Sequence, residues 1–281
     1  MNASIVVSAL YIYPVKSLRG VGVDAAVIEK GRLAGDREYL VLDRSGRFMD
    51  QRHYPQMARV EATITKYGLR LRAAGFADLD VRLPVDGADR RVLHVPLFRR
   101  EAPVTPASVE ADRWLSDVLG VSCRLMAFAP AAPALSVPFY EVHSSLHDAT
   151  PFHLTSEESL ADLNARARTS LPMNRFRPNL VVRGASAYAE DSWRAVEVGD
   201  TRLRWIKACT RCVATTTDQQ TGERNSREPL LTLARYRRDG STVVFGHYMM
   251  PERWGAEIRV GDSVRIVETE DAPSMAATLR Q

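Results

Sequence analysis

The sequence predicts a mainly β protein with a few helices, an α+β chain built as two consecutive β-barrel units. Three observations carry this. Short apolar runs separated by glycine-bearing turns recur through residues 4–98, an Ala- and Pro-rich stretch without period interrupts the chain near its middle, and strand-like runs resume beyond residue 180. With 281 residues the chain can build one large or two modest domains, and either buries an ample core.

Residues 4–13 form the first β-branched run, residues 21–27 alternate Val21, Val23, Ala25 and Val27, and residues 39–43 run into the turn Arg44-Ser45-Gly46. Further strands are predicted at 58–65, 69–73, 79–83 and 92–95, divided by Tyr67-Gly68, Ala74-Gly75 and Asp86-Gly87. Past Thr105-Pro106 the period changes: Val109, Trp114, Leu115, Val118 and Leu119 share one helical face, and Gly120 supplies the stop. Residues 127–138, AFAPAAPALSVP, read as a crossing loop, which divides the chain into domains at 1–125 and 126–281. In the second unit, Thr155 and Glu158 make a capping-box pattern before Leu160, Leu163 and Ala167, with Arg166 and Arg168 in the last turn. A third helix is expected over about 227–237. Strands are expected at 180–183, 202–206, 213–217 and 242–248 and around Val260-Gly261-Asp262, whose turn resembles Val198-Gly199-Asp200.

Hydrophobic residues make up 45% and charged residues 26%, which excludes disordered and fibrous classes. Three cysteines, with Cys123 far from Cys209 and Cys212, argue against a disulfide framework and for a reducing compartment. The N-terminus lacks a secretory pattern and no apolar run approaches the ~18 residues of a membrane span, so the sequence reads as cytoplasmic, with no membrane partner. The net charge of +4 favours an anionic small molecule. Few aromatics lie among the basic residues, so no nucleic-acid partner is expected.

Chemistry concentrates around WIKACTRCVATTTDQQTG, where Cys209 and Cys212 stand two residues apart. A structural zinc site needs two further ligands that the sequence does not offer, and a thioredoxin-like dithiol needs a helix after the first cysteine. Two readings stay open: a pair of small buried residues, or a single thiolate binding a soft cofactor metal. Lys16-Ser17, where the first strand ends, can present an ammonium and two donors to an anion, and Arg37 of Gly35-Asp36-Arg37 and Arg52 offer similar charges. In Asn174-Arg175-Phe176-Arg177-Pro178-Asn179, Pro178 disfavours helix at Arg177, so the guanidiniums of Arg175 and Arg177 are expected on an extended lead into a strand, either to bind phosphate or carboxylate or to pair with nearby Asp or Glu at the strand edge. His147-Asp148-Ala149-Thr150 is a polar loop suited to a heterocycle. No GxSxG, Walker or GxGxxG pattern is present, and the six histidines show no zincin spacing.

Taken together, YPVKS, GDRE, LTSEESLADLN, FRPN, YAEDSW, ACTRC-x4-TTD-x2-TG, REPL-x-TL and the closing VGD-x-V resemble the MOSC-domain proteins that carry an N-terminal β-barrel domain. Within that group the pattern is similar to the YcbX-like proteins and the mitochondrial amidoxime-reducing component. The resemblance spans about residues 5–267, and its cysteine block is its most specific part. It implies an N-terminal β-barrel domain followed by a MOSC-type β-barrel domain, with a molybdenum–molybdopterin cofactor between them. It further implies Cys212 as the molybdenum ligand and catalytic residue, Lys16, Ser17 and Arg37 against the pterin and its phosphate, Asp148 and Thr150 in the cofactor loop, and Arg177 as the arginine of FRPN. Thr210 stands where relatives carry Ser, and Arg175 where the mitochondrial relatives carry Asn; both are expected at the cofactor.

The implied reaction is two-electron reduction of N-hydroxylated compounds to the amine and water. No ferredoxin-type cysteine pattern follows Cys212, so a separate donor, a flavin reductase or Fe–S protein, is expected to supply the electrons. The alternatives are a sulfuration protein using a persulfide at the same cysteine and a non-catalytic carrier of the cofactor.

Overall fold

The computed structural model describes residues 4–29, 32–83, 91–98, 100–129, 135–137, 140–142, 146–148 and 150–270. Two β assemblies share the chain, as the fold class predicted. The larger is a nine-stranded sheet in the order Val21–Val23, Val6–Ile12, Leu180–Arg183, Phe152–Ser156, Thr242–Pro251, Thr201–Thr210, Trp193–Val198, Val264–Thr269, with Arg238–Asp239 beside Thr242–Pro251. Along this path only Phe152–Ser156 and Leu180–Arg183 run parallel. A bridge from Val6 to Ser263, with Val7 N–H donating to Asp262 O and Val264 N–H to Ile5 O (2.8 Å each), joins the last strand back to the first and curls the sheet into a barrel.

The smaller assembly pairs Tyr39–Asp43, Cys123–Phe128, Arg100–Pro106 and Leu93–Leu97 in one sheet, and Glu61–Thr65, Gly68–Arg72 and Leu79–Arg82 in another. Helix Val109–Leu119 closes it. Ser108 Oγ accepts from Ala111 N–H, and Gly120 ends the helix in the left-handed conformation (φ 67°) that glycine adopts at no steric cost. Ala111, Leu115, Val118 and Leu119 face the core, whereas Val109, expected on that face, is 66% exposed.

The chain's first strands belong in space with the second half. Val7, Leu10, Ile12, Ile28 and Leu33 are buried with Phe152, Leu180, Val196 and Met249, while Val15 and Leu18 enter the other core with Val41, Leu69 and Leu115. Tyr13 to Ser17 is therefore the crossover between two cores. It is held by Lys16 N–H donating to Tyr39 O (2.7 Å) and Tyr39 N–H to Pro14 O (3.1 Å).

Several expected elements differ. Residues 213–217 are not a strand: Val213–Thr216 is a single 3-10 turn. Thr215 Oγ1 bonds Cys212 O (2.9 Å) and Thr216 Oγ1 bonds Val213 O (2.8 Å), so the hydroxyls satisfy local carbonyls that a ladder would otherwise take. The third helix shrinks to Leu230–Leu233. The second helix, Glu157–Arg166, is capped by Ser156 rather than Thr155, because Thr155 still belongs to the buried strand Phe152–Ser156. Arg175 lies in a 3-10 turn, Met173–Phe176, and Arg177 is left-handed, not extended. The Asp86-Gly87 turn, Ala149, and residues 130–134 and 138–139 of the crossing loop lie outside the described residues. Among the described residues no helix is long and apolar enough to cross a membrane.

Candidate cofactor cleft between the two barrels

A cleft of about 150 Å³, open to solvent, lies where the crossover segment meets the second barrel. Lys16, Ser17, Arg37, Asp148, Thr150, Arg175, Arg177, Thr210 and Cys212 all line it, although they come from five separate stretches of sequence.

Its floor is organised by Tyr13 and Asp36. The Tyr13 ring is buried with the guanidinium carbons of Arg37 and Arg177 each 4.3 Å from its centroid, and its hydroxyl donates to Pro178 O (2.9 Å). Gly20 makes room for it: a Cβ there would fall 2.3 Å from the ring. Asp36, fully buried, accepts from Tyr13 N–H (2.7 Å) and Arg37 Nη1 (2.5 Å), and its second oxygen also lies 2.7 Å from His147 Nε2. Burial pushes its carboxyl up, but the Arg37 charge and the His147 contact outweigh that and hold it at about 2. Arg37 also donates to Asn179 Oδ1 (3.0 Å), and Arg177 Nη1 to Leu18 O (2.7 Å). Burial, opposed by Tyr13 and reinforced by neighbouring Arg37, lowers Arg177 to about 10, still cationic at neutral pH.

The backbone is strained at this place. Five non-glycine residues among those described have positive φ, and four of them line the cleft: Ser17 (67°), Arg37 (52°), Phe98 (58°) and Arg177 (55°). Such conformations cost free energy and persist where packing over-determines them, commonly at functional sites. Buried Lys16 donates to Leu146 O (2.7 Å), pairs with Asp148, and sits 5.4 and 5.3 Å from the Phe48 and Phe98 centroids. Desolvation within the cleft disfavours the Asp148 carboxylate, but the Lys16 charge outweighs it and holds the group in its charged form.

The two cysteines part company at the end of strand Thr201–Thr210. Cys209 is buried with the Arg211 guanidinium on its sulfur; Cys212 is exposed, lines the cleft and leads into the 3-10 turn. Arg211 is pinned by its N–H to Val243 O (2.8 Å) and its Nη2 to Phe176 O (2.8 Å). Among the described residues no three His, Cys, Asp or Glu side chains cluster to hold a metal ion, so a metal at Cys212 must bring its own chelator. The walls suit an anionic one, with six cations (Lys16, Arg37, Arg52, Arg175, Arg177, Arg211) against the carboxylates of Asp50 and Asp148. Arg175 Nε and Arg211 Nε are moreover buried without a hydrogen-bond partner, donors of the kind a bound anionic group satisfies.

Sequence reasoning named Asp36 and Asn179 only as members of their motifs, and passed over Arg211, His153 and Tyr248 as site residues. Arg211 was legible in principle, because a chain that turns Cys209 inward and Cys212 outward carries the intervening side chain into the same place. Asp36 carried no signal beyond its place in GDRE, because its role is to organise others from beneath.

Stability should depend on the cleft's histidines. Burial lowers His147 to about 4, opposed by the Asp36 contact, and burial with the Arg211 charge lowers His153 well below 6.5. Both are neutral in the fold, so the unfolded chain binds more protons once the pH drops below 6.5. Their contribution is full above that value and declines toward pH 4, by on the order of 3 kcal/mol for His147. Urea unfolding of wild type and His147→Gln at pH 7 and 4.5 checks this: the variant should lose distinctly less stability between the two.

Comparison with known proteins accords with this geometry. Residues 4–122 match the MOSC N-terminal beta barrel domain and residues 141–265 the MOSC domain. The chain is 36% identical to mitochondrial amidoxime-reducing component 1 of Mus musculus, over 93% of this chain and 82% of that one. It is 36% identical to mitochondrial amidoxime reducing component 2 of Bos taurus, over 92% and 82%. A molybdenum cofactor sulfurase of Arabidopsis thaliana is 29% identical over 91% of this chain, which spans only 34% of that protein. The amidoxime-reducing relatives are mitochondrial by name, and this overturns the cytoplasmic location expected from the sequence.

Proposed function

The chain belongs to the family of the amidoxime-reducing components, with a MOSC N-terminal β-barrel domain and a MOSC domain, and from that premise we propose how its own residues serve the reaction. It is a molybdenum-cofactor-dependent oxidoreductase that reduces N-hydroxylated compounds with electrons from a separate partner. The observation that carries the assignment of residues is the single exposed thiol, Cys212, in a cleft walled by six cations.

When bound, the cofactor supplies a two-electron couple able to take the hydroxyl oxygen from nitrogen. Cys212 is its protein thiolate. Lys16, Ser17, Arg37 and Arg177 hold the pterin and its phosphate by charge and hydrogen bonds. Asp148 and Thr150 line the pterin, Thr210 stands beside the metal ligand, and Arg175, anchored to Thr216 O (2.9 Å) and Asp218 (3.2 Å), offers its Nε to the anionic group. The αL backbone at Ser17, Arg37 and Arg177 fixes these groups before the cofactor arrives, so little ordering cost remains. We place the domain division at 1–125 and 126–281, between the two matched segments, and take the donor to be a flavin reductase or an Fe–S protein.

Protein produced in a cofactor-competent host should carry close to one molybdenum per chain and convert an amidoxime to the amidine with reduced viologen as donor. Molybdenum-bound protein that fails to turn over would point to a carrier. Metal-free protein with cyanide-labile sulfur would point to sulfuration chemistry.

A further inference from the structure

A second concavity adjoins the cleft, and a single turn of chain divides the two. Of the 3-10 turn Val213–Thr216, Ala214 and Thr215 line the cleft, while Val213 and Thr216 line a groove on the far side; Arg211 lines both. The residue that enters this turn is Cys212. One turn of backbone therefore joins the groove to the thiol of Cys212.

The groove's lining is one-signed. It contains Arg224, Arg227 and Arg238 with Arg211, and no carboxylate. Arg224 is committed to Thr217 Oγ1 (2.9 Å) and the carbonyls of Gln51 and Arg52, and Arg211 to the Cys209 sulfur. Exposed Arg227 and Arg238 form no ion pair among the described residues. Beside them Val213 and Leu231 are 41% and 44% exposed. An apolar centre in a cationic rim is the pattern of transient electron-transfer contacts, where charge sets orientation and on-rate.

The reaction needs a donor to reach this neighbourhood. Reduction of R2N–OH to R2NH and water consumes two electrons and two protons, and among the described residues no cluster could hold a second metal centre. We propose that the groove between the 3-10 turn Val213–Thr216 and the helix Leu230–Leu233 is the docking surface for the electron donor, an acidic one-electron carrier protein. This rests on the molybdenum-reductase reading above. Two reduced carriers each give up one electron there per turnover, the protons come from solvent, and the substrate uses the cleft's own mouth, so donor and substrate do not compete.

The test uses the molybdenum-loaded enzyme with two donors, reduced methyl viologen and a reduced plant-type ferredoxin as acidic protein probe. For Arg227→Glu/Arg238→Glu we expect kcat/KM for ferredoxin to fall at least about tenfold at low ionic strength and its salt dependence to flatten. Viologen-driven turnover, substrate KM and molybdenum content should stay as in wild type, and Arg227→Lys/Arg238→Lys should restore the ferredoxin rate. An unchanged ferredoxin rate in the Glu variant overturns the proposal, as does a wild-type enzyme that turns over with viologen but not with ferredoxin. So does a salt-sensitive dimer in sedimentation that the Glu substitutions dissolve, since a second copy would then occupy the groove. Loss of viologen-driven turnover in wild type would instead sink the reductase reading itself.

Discussion

Cys212→Ser is expected to lower amidoxime reduction at least about a thousandfold, some 4 kcal/mol of transition-state stabilisation. Cys209→Ser should stay within about tenfold of wild type. The asymmetry follows from position. Cys212 is the exposed thiol of the cleft wall, where a serine oxygen is a poor substitute for sulfur toward a soft metal. Cys209 is buried, takes no part in the wall and contacts only protein, so its replacement loosens Arg211 without removing a ligand. Steady-state rates with reduced viologen, normalised to molybdenum content, separate the two. Equal losses would mean that the pair acts as a dithiol.

Asp36→Asn is expected to lower the unfolding free energy by about 3–5 kcal/mol, the cost of leaving a buried charge uncompensated. Asp36 is fully buried and joins Tyr13 N–H, Arg37 and His147, so an isosteric amide strips Arg37 of its counterion without changing the volume. Because Arg37 and Tyr13 are tied to it, cofactor retention should fall along with stability. The pH dependence carries the same signature. With the folded value at about 2 against the ordinary 3.8, the Asp36 contribution is full above pH 3.8 and is lost as the pH falls toward 2. Urea titrations at pH 7 measure the difference between variant and wild type; a change under about 1 kcal/mol would mean that the network is not what holds the floor together.

The strands were legible where apolar residues alternate or cluster between turn residues: Tyr39–Asp43 and Leu180–Arg183 fall where the sequence predicts them. Phe152–Ser156 was hidden because it is buried along its whole length and shows no alternation, while its last residue also serves as a helix cap. The run 213–217 misled for the opposite reason. Its threonines have strand propensity, but their hydroxyls bond the carbonyls of Cys212 and Val213, and the turn they make is what lets Cys212 face the cleft.

The cleft was legible through its charged residues. Lys16, Arg37, Arg175 and Arg177 stand in short motifs at strand ends, where a cation has a reason to be. What holds them was not. No sequence pattern announces that Tyr13 lies against two guanidiniums, that Asp36 anchors three groups from below, or that Ser17, Arg37 and Arg177 adopt positive φ without being glycine. The association of the first strand with the last was also beyond reach, since it depends on the Val6–Ser263 bridge between the two ends of the described chain.

The claim beneath all of this is that one protein sulfur, that of Cys212, reaches a metal whose remaining ligands arrive with it. X-ray absorption at the molybdenum edge, on wild type and Cys212→Ser loaded with cofactor, measures that directly. We expect the first-shell sulfur count to fall by one in the variant while the chelator's own sulfurs remain. An identical sulfur shell in both proteins would contradict the account.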